Sequence, residues 1–305
     1  MTLQQTSTYV LITPAKNEEL FIRNVLDSVV SQTHRPLRWI IVDDSSTDRT
    51  AEIIHEYVAK YDFISLLKIQ TDGQRNFSRK AIAFNSGVAM VQNLEYSYIG
   101  NLDADISLAP DYFQNIVNEF KKNPKLGISG GIVYAKVGSK FVTGDKTLDS
   151  VGGAVQLFRR ECFEQIGGYL PLKQGGIDAA AEITARMKGW TVRKCPENRV
   201  WEHRLTGTAN DGVVAANFKL GMRFHSLGYG TFFYVIRSIT KIKYKPYLVG
   251  SMLALVGFLY ARLRHYPITL PNEIVSYLRQ EQNQKLRHRL ISNPVRAILG
   301  RWPDR

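Results

Sequence analysis

Three apolar runs that end in polar or acidic clusters constrain this chain more than any other feature. Tyr9–Thr13 stops at Pro14, Arg38–Val42 stops at Asp43-Asp44, and Tyr96–Leu102 stops at Asp103-Ala104-Asp105. Between them lie stretches with apolar residues at helical spacing: Leu20, Val25, Leu26, Val29 and Val30, then Ile53, Ile54, Tyr57 and Val58, then Ala81–Val91. Phe63–Ile69 adds a further strand-like run. Strands alternating with helices imply a mostly parallel central sheet flanked by helices. In such sheets ligands gather at the carboxyl ends of the strands. All three polar clusters fall there.

The most specific of the three is Tyr98-Ile99-Gly100-Asn101-Leu102-Asp103-Ala104-Asp105. Side chains alternate along a strand, so carboxylates two positions apart can point the same way. Paired oxygen donors suit Mg²⁺ or Mn²⁺, whose other ligands are commonly phosphate and water. Taken alone, the pair reads more readily as a solvated turn. Ser46 or Thr47 is placed to cap the second helix. No Gly-x-Gly-x-x-Gly follows the first strand and no Gly-Lys-Ser/Thr loop is present, which argues against a dinucleotide dehydrogenase and a P-loop NTPase.

Composition bears on the partner. The net charge is +13 over 305 residues, which favours an anionic partner: a phosphorylated substrate, a membrane surface or nucleic acid. Residues 241–305 hold twelve Lys/Arg against three Asp/Glu, so 12 − 3 = +9 of the charge sits in the tail. Cys162 and Cys195 lack metal-ligand spacing and read as reduced thiols of a cytosolic protein. There is no charged-then-apolar leader, so no signal peptide is expected.

Tyr9-Val-Leu-Ile-Thr-Pro-Ala-Lys-Asn-Glu-Glu19, Val42-Asp-Asp-Ser-Ser-Thr-Asp-Arg-Thr50, Asn85-Ser-Gly87 and Leu102-Asp-Ala-Asp105 stand in an order that resembles the family 2 inverting glycosyltransferases. The resemblance covers about residues 9–205. It implies the nucleotide-diphospho-sugar transferase fold called GT-A, an α/β architecture, here with a helical C-terminal extension. Residues 1–205 would form the catalytic domain, with 9–105 the nucleotide half and 106–205 the acceptor half, and 206–305 a basic helical region. Thr13, Pro14, Ala15, Asn17, Glu18 and Asp44 would face the nucleoside, with Asp43 beside them or capping the next helix. Asp103 would lie near ribose and diphosphate, and Asp105 would be the main ligand of Mn²⁺ or Mg²⁺. Arg75, Arg79 and Lys80 are candidates for the diphosphate or for plain surface solvation. His203 would complete the metal site in some such enzymes, or is a surface histidine beside Trp201.

In this family a Glu-Asp pair precedes an Arg-bearing helix and a glycine. Counting back from Gly189 sets Asp178 on the Asp, the general base that takes the acceptor hydroxyl's proton. Ile177 stands where the Glu would be. Glu182, one helical turn on, is the competing base, and capping of the helix is the third reading.

The remaining elements follow from pattern. Pro110 opens a helix over Asp111–Lys122, Leu126–Tyr134 reads as a strand, residues 135–150 as a hairpin or loop, and Val155–Phe158 as a strand. Thr191–Cys195 reads as a last short strand, and Gly207–Gly212 as a connection. Pro246–Ala261 is sixteen residues without a charge, flanked by Lys and Arg. It is short for a span and suits either a helix in the interface of an anionic membrane or one packed on protein. Glu273–Leu290 reads as a solvated helix, and Leu278–Gln282 resembles an element in the tails of bacterial glycosyltransferases of surface-polysaccharide assembly.

The function expected is therefore a metal-dependent inverting hexosyltransferase. It would move a sugar from a nucleotide-diphosphate donor to a saccharide or lipid-linked saccharide acceptor, at the inner face of the cytoplasmic membrane. A sugar-phosphate nucleotidyltransferase would need a Gly-rich phosphate loop that Pro14–Glu18 does not supply. A nucleic-acid-binding protein would interleave basic and aromatic residues across a face, whereas here the surplus charge adjoins an apolar run, so no nucleic-acid partner is expected.

Overall fold

The computed structural model describes residues 7–70, 77–143, 147–205, 213–241 and 247–292. They fall into two compact units that divide after Thr206, with Gln174–Gly176 grouped with the second.

The first unit runs β1 (Tyr9–Ala15), α1 (Ile22–Val30), β2 (Arg38–Asp44), α2 (Thr50–Val58), β3 (Ile64–Ile69), α3 (Ser78–Ala89), β4 (Tyr98–Asn101) and β5 (Ile106–Leu108). It continues with α4 (Tyr112–Lys122), β6 (Leu126–Val137), β7 (Lys140–Val142), β8 (Leu157–Arg159), α5 (Arg160–Ile166), α6 (Ile177–Met187) and β9 (Thr191–Leu205). The strands form one sheet in the order β3-β2-β1-β4-β8-β6-β9-β5, with β7 hairpinned onto β6. From β3 to β4 every pairing is parallel. Beyond β4 the sheet is mixed, since β8 is antiparallel to both neighbours while β6 and β9 run parallel.

Parallel strands covered on both faces need unbroken apolar runs. Val10, Leu11 and Ile12 and then Trp39, Ile40, Ile41 and Val42 supply them, all buried. The register sets Pro14 opposite Val42 and Ala15 opposite Asp43, and Ile12 opposite Asn101. The three polar strand ends therefore lie side by side. Beneath them Tyr98, Phe120 and Tyr9 join the core. Arg159 is buried there and donates to the carbonyls of Phe120, Asn123 and Leu126. It thus satisfies the end of α4, which a helix cannot do for itself.

Several boundaries differ from the sequence reading. The second helix starts at Thr50, not at Ser46 or Thr47, because Asp48 Oδ1 takes both the amide and the hydroxyl of Thr50. Leu20 lies outside α1 and is exposed. The last strand does not stop at Cys195. β9 continues to Leu205, its ladder with β6 jumping from Lys194 to Arg199 across Pro196. Proline cannot donate to a ladder and sits in sheets at such bulges.

The second unit holds α7 (Val213–Ser226), α8 (Thr231–Lys241), α9 (Tyr247–Leu263) and α10 (Asn272–Ser292). α7 and α9 cross with their backbones touching. A Cβ on Gly221 would lie 1.8 Å from the Ala254 carbonyl oxygen, and one on Gly257 2.1 Å from that of Phe218. No helix of the described residues is long and apolar enough to cross a membrane. The 207–212 connection, Lys243 and Lys245 lie outside the described residues.

Gly131 in β6 faces a similar limit, since an added Cβ would sit 2.4 Å from the Asn198 carbonyl oxygen. Its amide donates to the Tyr112 hydroxyl at 2.8 Å. Gly131→Ala is expected to cost about 1–3 kcal/mol by overpacking, lowering the Tm by roughly 2–10 °C. Gly152→Ala, whose Cβ meets only Val133 Cγ2 at 3.6 Å, should leave the melting curve unmoved by differential scanning fluorimetry.

Candidate active site

The turn after β1 is laced to the loop after β2. Asn17, in the left-handed conformation at φ 54° that asparagine tolerates, donates its amide to Ser46 Oγ at 3.0 Å. Its Oδ1 accepts from the Thr47 amide at 2.8 Å. The Glu18 amide donates to Thr50 Oγ1 at 2.7 Å. Asp43 is buried and holds the Ser46 amide at 3.0 Å, so it shapes this loop. Thr13 is also fully buried, its hydroxyl accepting from Trp39 Nε1 at 2.9 Å. Its side chain serves the core and is not open to a ligand. Asp44 meets Arg79 at 2.8 Å in a buried ion pair that fixes α3 against the end of β2.

Next to this frame lies an acidic cluster. Asp103 pairs with Lys80 at 2.5 Å and accepts from Asn101 Nδ2 at 3.2 Å. Asp105 accepts from Arg204 Nε at 3.0 Å, and the same guanidinium binds Glu18. Glu202 sits in the field of both aspartates. Burial pushes the Glu18 carboxyl up to about 7, with Arg204 opposing and the two aspartates adding. Burial, then Asp105 and Asp103, push Glu202 to about 7 as well. Asp105 is raised by burial and by its Asp103 neighbour. Four carboxylates thus face two cations, Lys80 and Arg204, which leaves 2 − 4 = −2 when all are ionised.

Asp178 stands in the first turn of α6, hard against Gly153. A Cβ on Gly153 would lie 3.1 Å from Asp178 Cβ and 3.4 Å from its Oδ2. The Gly153 carbonyl in turn accepts from Asn101 Nδ2 and lies 3.4 Å from Lys80 Nζ. One glycine therefore separates Asp178 from the Lys80–Asp103 pair. Glu182 is placed differently. It is 1% exposed, and its Oε1 accepts from the Val151 amide at 2.6 Å and from Ser150 Oγ at 3.2 Å. It anchors the 150–156 segment from within and does not reach a surface.

His203 lies on β9, where alternation sets it opposite Glu202 and Arg204. Its Nε2 is 2.8 Å from Ser107 Oγ, and its ring is edge-on to Phe141 at 5.6 Å. Burial, then Lys136, hold its pKa below the usual histidine value. Among the described residues no group of three or more His, Cys, Asp and Glu side chains is assembled around a metal position. Arg75 lies outside the described residues.

The model for glycosyl transferase family 2 matches residues 10–173, more than half of the chain. The chain belongs to glycosyl transferase family 2. The poly-β-1,6-N-acetyl-D-glucosamine synthase of Staphylococcus epidermidis is 28% identical to this member over 172 residues, 50% of this chain and 39% of that protein. The enzyme of the same name from Staphylococcus aureus (strain COL) is 26% identical over 206 residues, 61% of this chain and 47% of that protein. The chain thus spans less than half the length of these curated relatives. A mannosyltransferase from Pyrobaculum calidifontis in complex with GDP-Man and Mn²⁺ superposes with TM-score 0.53 at 18% identity, covering 94% of this chain and 81% of the other. S. aureus TarS 1–349 in complex with UDP-GlcNAc gives TM-score 0.51 at 15% identity, covering 95% and 81%. At those identities the likeness speaks to fold, and the fold is that of the GT-A glycosyltransferases.

Two members of this cluster, Glu202 and Arg204, have no place among the candidates read from sequence. The signal available was their i, i+2 spacing, which is informative only if residues 200–205 form a strand. The Asp44–Arg79 pair is a deeply buried ionic contact beside the cluster. Arg79→Met would remove this cation from the buried Asp44 carboxylate and is expected to destabilise the protein by about 3–5 kcal/mol. Asp44→Asn combined with Arg79→Met should recover a large part of that loss in urea unfolding, because no charge then remains buried alone.

Proposed function

We propose that this family 2 glycosyltransferase is a metal-dependent inverting enzyme that transfers a hexose from a nucleotide-diphosphate donor to an acceptor hydroxyl. The observation that carries the reading is the acidic cluster of Glu18, Asp103, Asp105 and Glu202, with Asp178 across Gly153. With all four ionised the cluster carries a surplus of two negative charges among oxygen donors, which suits a hard divalent cation. Asp103 and Asp105 are the residues that would hold Mn²⁺ or Mg²⁺. Such an ion supplies Lewis-acid stabilisation of the leaving diphosphate.

The chain's own groups do the rest. The Asn17–Glu18 turn and the Asp43–Ser46 loop form a rigid wall for the nucleoside, with the Asp44–Arg79 pair behind it. Lys80 lies close enough to the cluster to meet phosphate charge as it develops. Asp178 takes the proton from the acceptor oxygen, that oxygen bonds to the anomeric carbon, and the bond from that carbon to the diphosphate breaks. Attack opposite the leaving group inverts the centre. Ile177 beside Asp178 removes a second carboxylate from the base position. His203 keeps one ring nitrogen, Nδ1, for which no role in this scheme is needed.

The donor reading is a nucleotide-diphosphate hexose, with UDP-GlcNAc first to be tried. The support is that relatives matching half or more of this chain are named as poly-β-1,6-N-acetyl-D-glucosamine synthases. The acceptor is a saccharide or lipid-linked saccharide of polysaccharide assembly, met at the cytoplasmic face of an anionic membrane. The charge surplus of the tail favours that setting.

Nucleotide release from a panel of sugar nucleotides is expected with Mn²⁺ or Mg²⁺ and is expected to vanish with chelator. Release that ignores chelator would remove the metal from the scheme. Asp105→Ala should lose turnover while the protein remains folded by circular dichroism. Asp178→Asn should lose roughly 10²–10⁴-fold in transfer while donor binding by calorimetry persists. Glu182→Gln should lower the Tm and keep measurable transfer; a folded, inactive Glu182→Gln beside an active Asp178→Asn would reassign the base.

A further inference from the structure

We infer that the outward face of α9 docks this chain onto an anionic bilayer, with the helix lying in the plane of the interface. α9 is apolar on every side. Gly250, Ala254, Gly257, Phe258 and Ala261 are buried, and Gly257 meets the α7 backbone. At 100° per residue these five form one face. The opposite face carries Val249, Met252, Val256, Leu259, Tyr260 and Leu263, all exposed, with Val249 at 62% and Leu263 at 77%. A helix that is apolar all round is normally covered all round, and contiguous exposed apolar surface marks an interaction site. Here the protein itself supplies the covered side, so the free side behaves as the apolar face of an interfacial helix.

The charge pattern selects the occupant. From residue 212 to residue 272 the chain has eight Lys/Arg and no Asp or Glu; Arg237 among them is buried, whereas Lys219, Arg262 and Arg264 are exposed. Arg262 and Arg264 close the stripe at one end, with Tyr260 and Tyr266 beside them, and these ring types prefer the headgroup level. Anionic headgroups complement such a surface, each nearby Lys or Arg adding to the attraction. A second copy of the chain would instead bring two acid-free, basic stretches together. A spanning orientation is too short: 17 residues make about 25 Å of helix, against about 30 Å of hydrocarbon.

The inference deepens the proposed function, resting on it for the lipid-linked acceptor that docking would bring within reach. Its test measures binding without turnover. The full chain is floated with vesicles of phosphatidylcholine and phosphatidylglycerol in equal parts, and with phosphatidylcholine alone. Flotation is expected with the mixed vesicles, far less with the neutral ones, and falling as salt rises. Met252→Asp with Val256→Asp should reduce the bound fraction roughly tenfold or more with circular dichroism and donor-only nucleotide release unchanged. If that double variant misfolds, Leu263→Asp at the last turn carries the same expectation. Arg262→Gln with Arg264→Gln should weaken binding and flatten its salt dependence.

The inference is overturned if wild-type chain fails to float with the mixed vesicles, or if the aspartate variants float as well as wild type. It is also overturned if light scattering shows a dimer that the aspartate variants dissociate, with no vesicle binding by either form. Failed flotation with intact nucleotide release rejects the docking face alone. Flotation without nucleotide release on any donor rejects the catalytic reading alone.

Discussion

The guanidinium of Arg204 holds the site of the catalytic unit together. It bridges Glu18, at the turn after the first strand, and Asp105, just past the fourth. Those groups are 186 and 99 residues away in the chain. Two largely buried carboxylates so close would repel each other and would be costly to ionise. A planar cation with a fixed fork of donors can serve both at once. The long last strand exists, in functional terms, to deliver that cation. Its ladder with β5 sets Glu202 opposite Ile106, which brings Arg204 to the aspartates.

The same principle of compensation recurs at each depth. Arg79 balances Asp44 where almost no solvent reaches. Lys80 balances Asp103 at the half-exposed level. Among the described residues Arg159 meets no carboxylate and instead donates to the backbone carbonyls of Phe120, Asn123 and Leu126. Charge that is locked deep serves architecture, since breaking such a pair strands an ion. Charge nearer the surface keeps a surplus that a ligand can exploit. The step from the buried Asp44–Arg79 pair to the more exposed Asp103–Lys80 pair follows that logic.

Residues 9–105 were largely legible from sequence because their signals are local. Apolar runs that end in Asp43-Asp44 and Asp103-Ala-Asp105 announce parallel strands and their ligand edge without any tertiary knowledge. Residues 106–205 were less legible for specific reasons. Pro196 breaks the pattern of β9, so residues 200–205 did not read as strand, and Glu202 and Arg204 went unrecognised with them. Thr13 belongs to a motif yet turns its hydroxyl to Trp39, a contact 26 positions away that no pattern reveals. Glu182 and Asp178 are equivalent by spacing. They separate only when burial is known, because the loop that buries Glu182 comes from residues 150–156.

The crossing of α7 and α9 carries one more consequence. Where two helices meet at Gly221 and Gly257, no side chain lies between them to act as a cushion. Two rods touching at main-chain distance have little room to roll about their own axes. α9 is therefore held like a keyed shaft, and the azimuth of its outer surface is set by the position of two hydrogen atoms. A methyl group at either glycine would act as a wedge, rotating or lifting that surface without altering a residue on it.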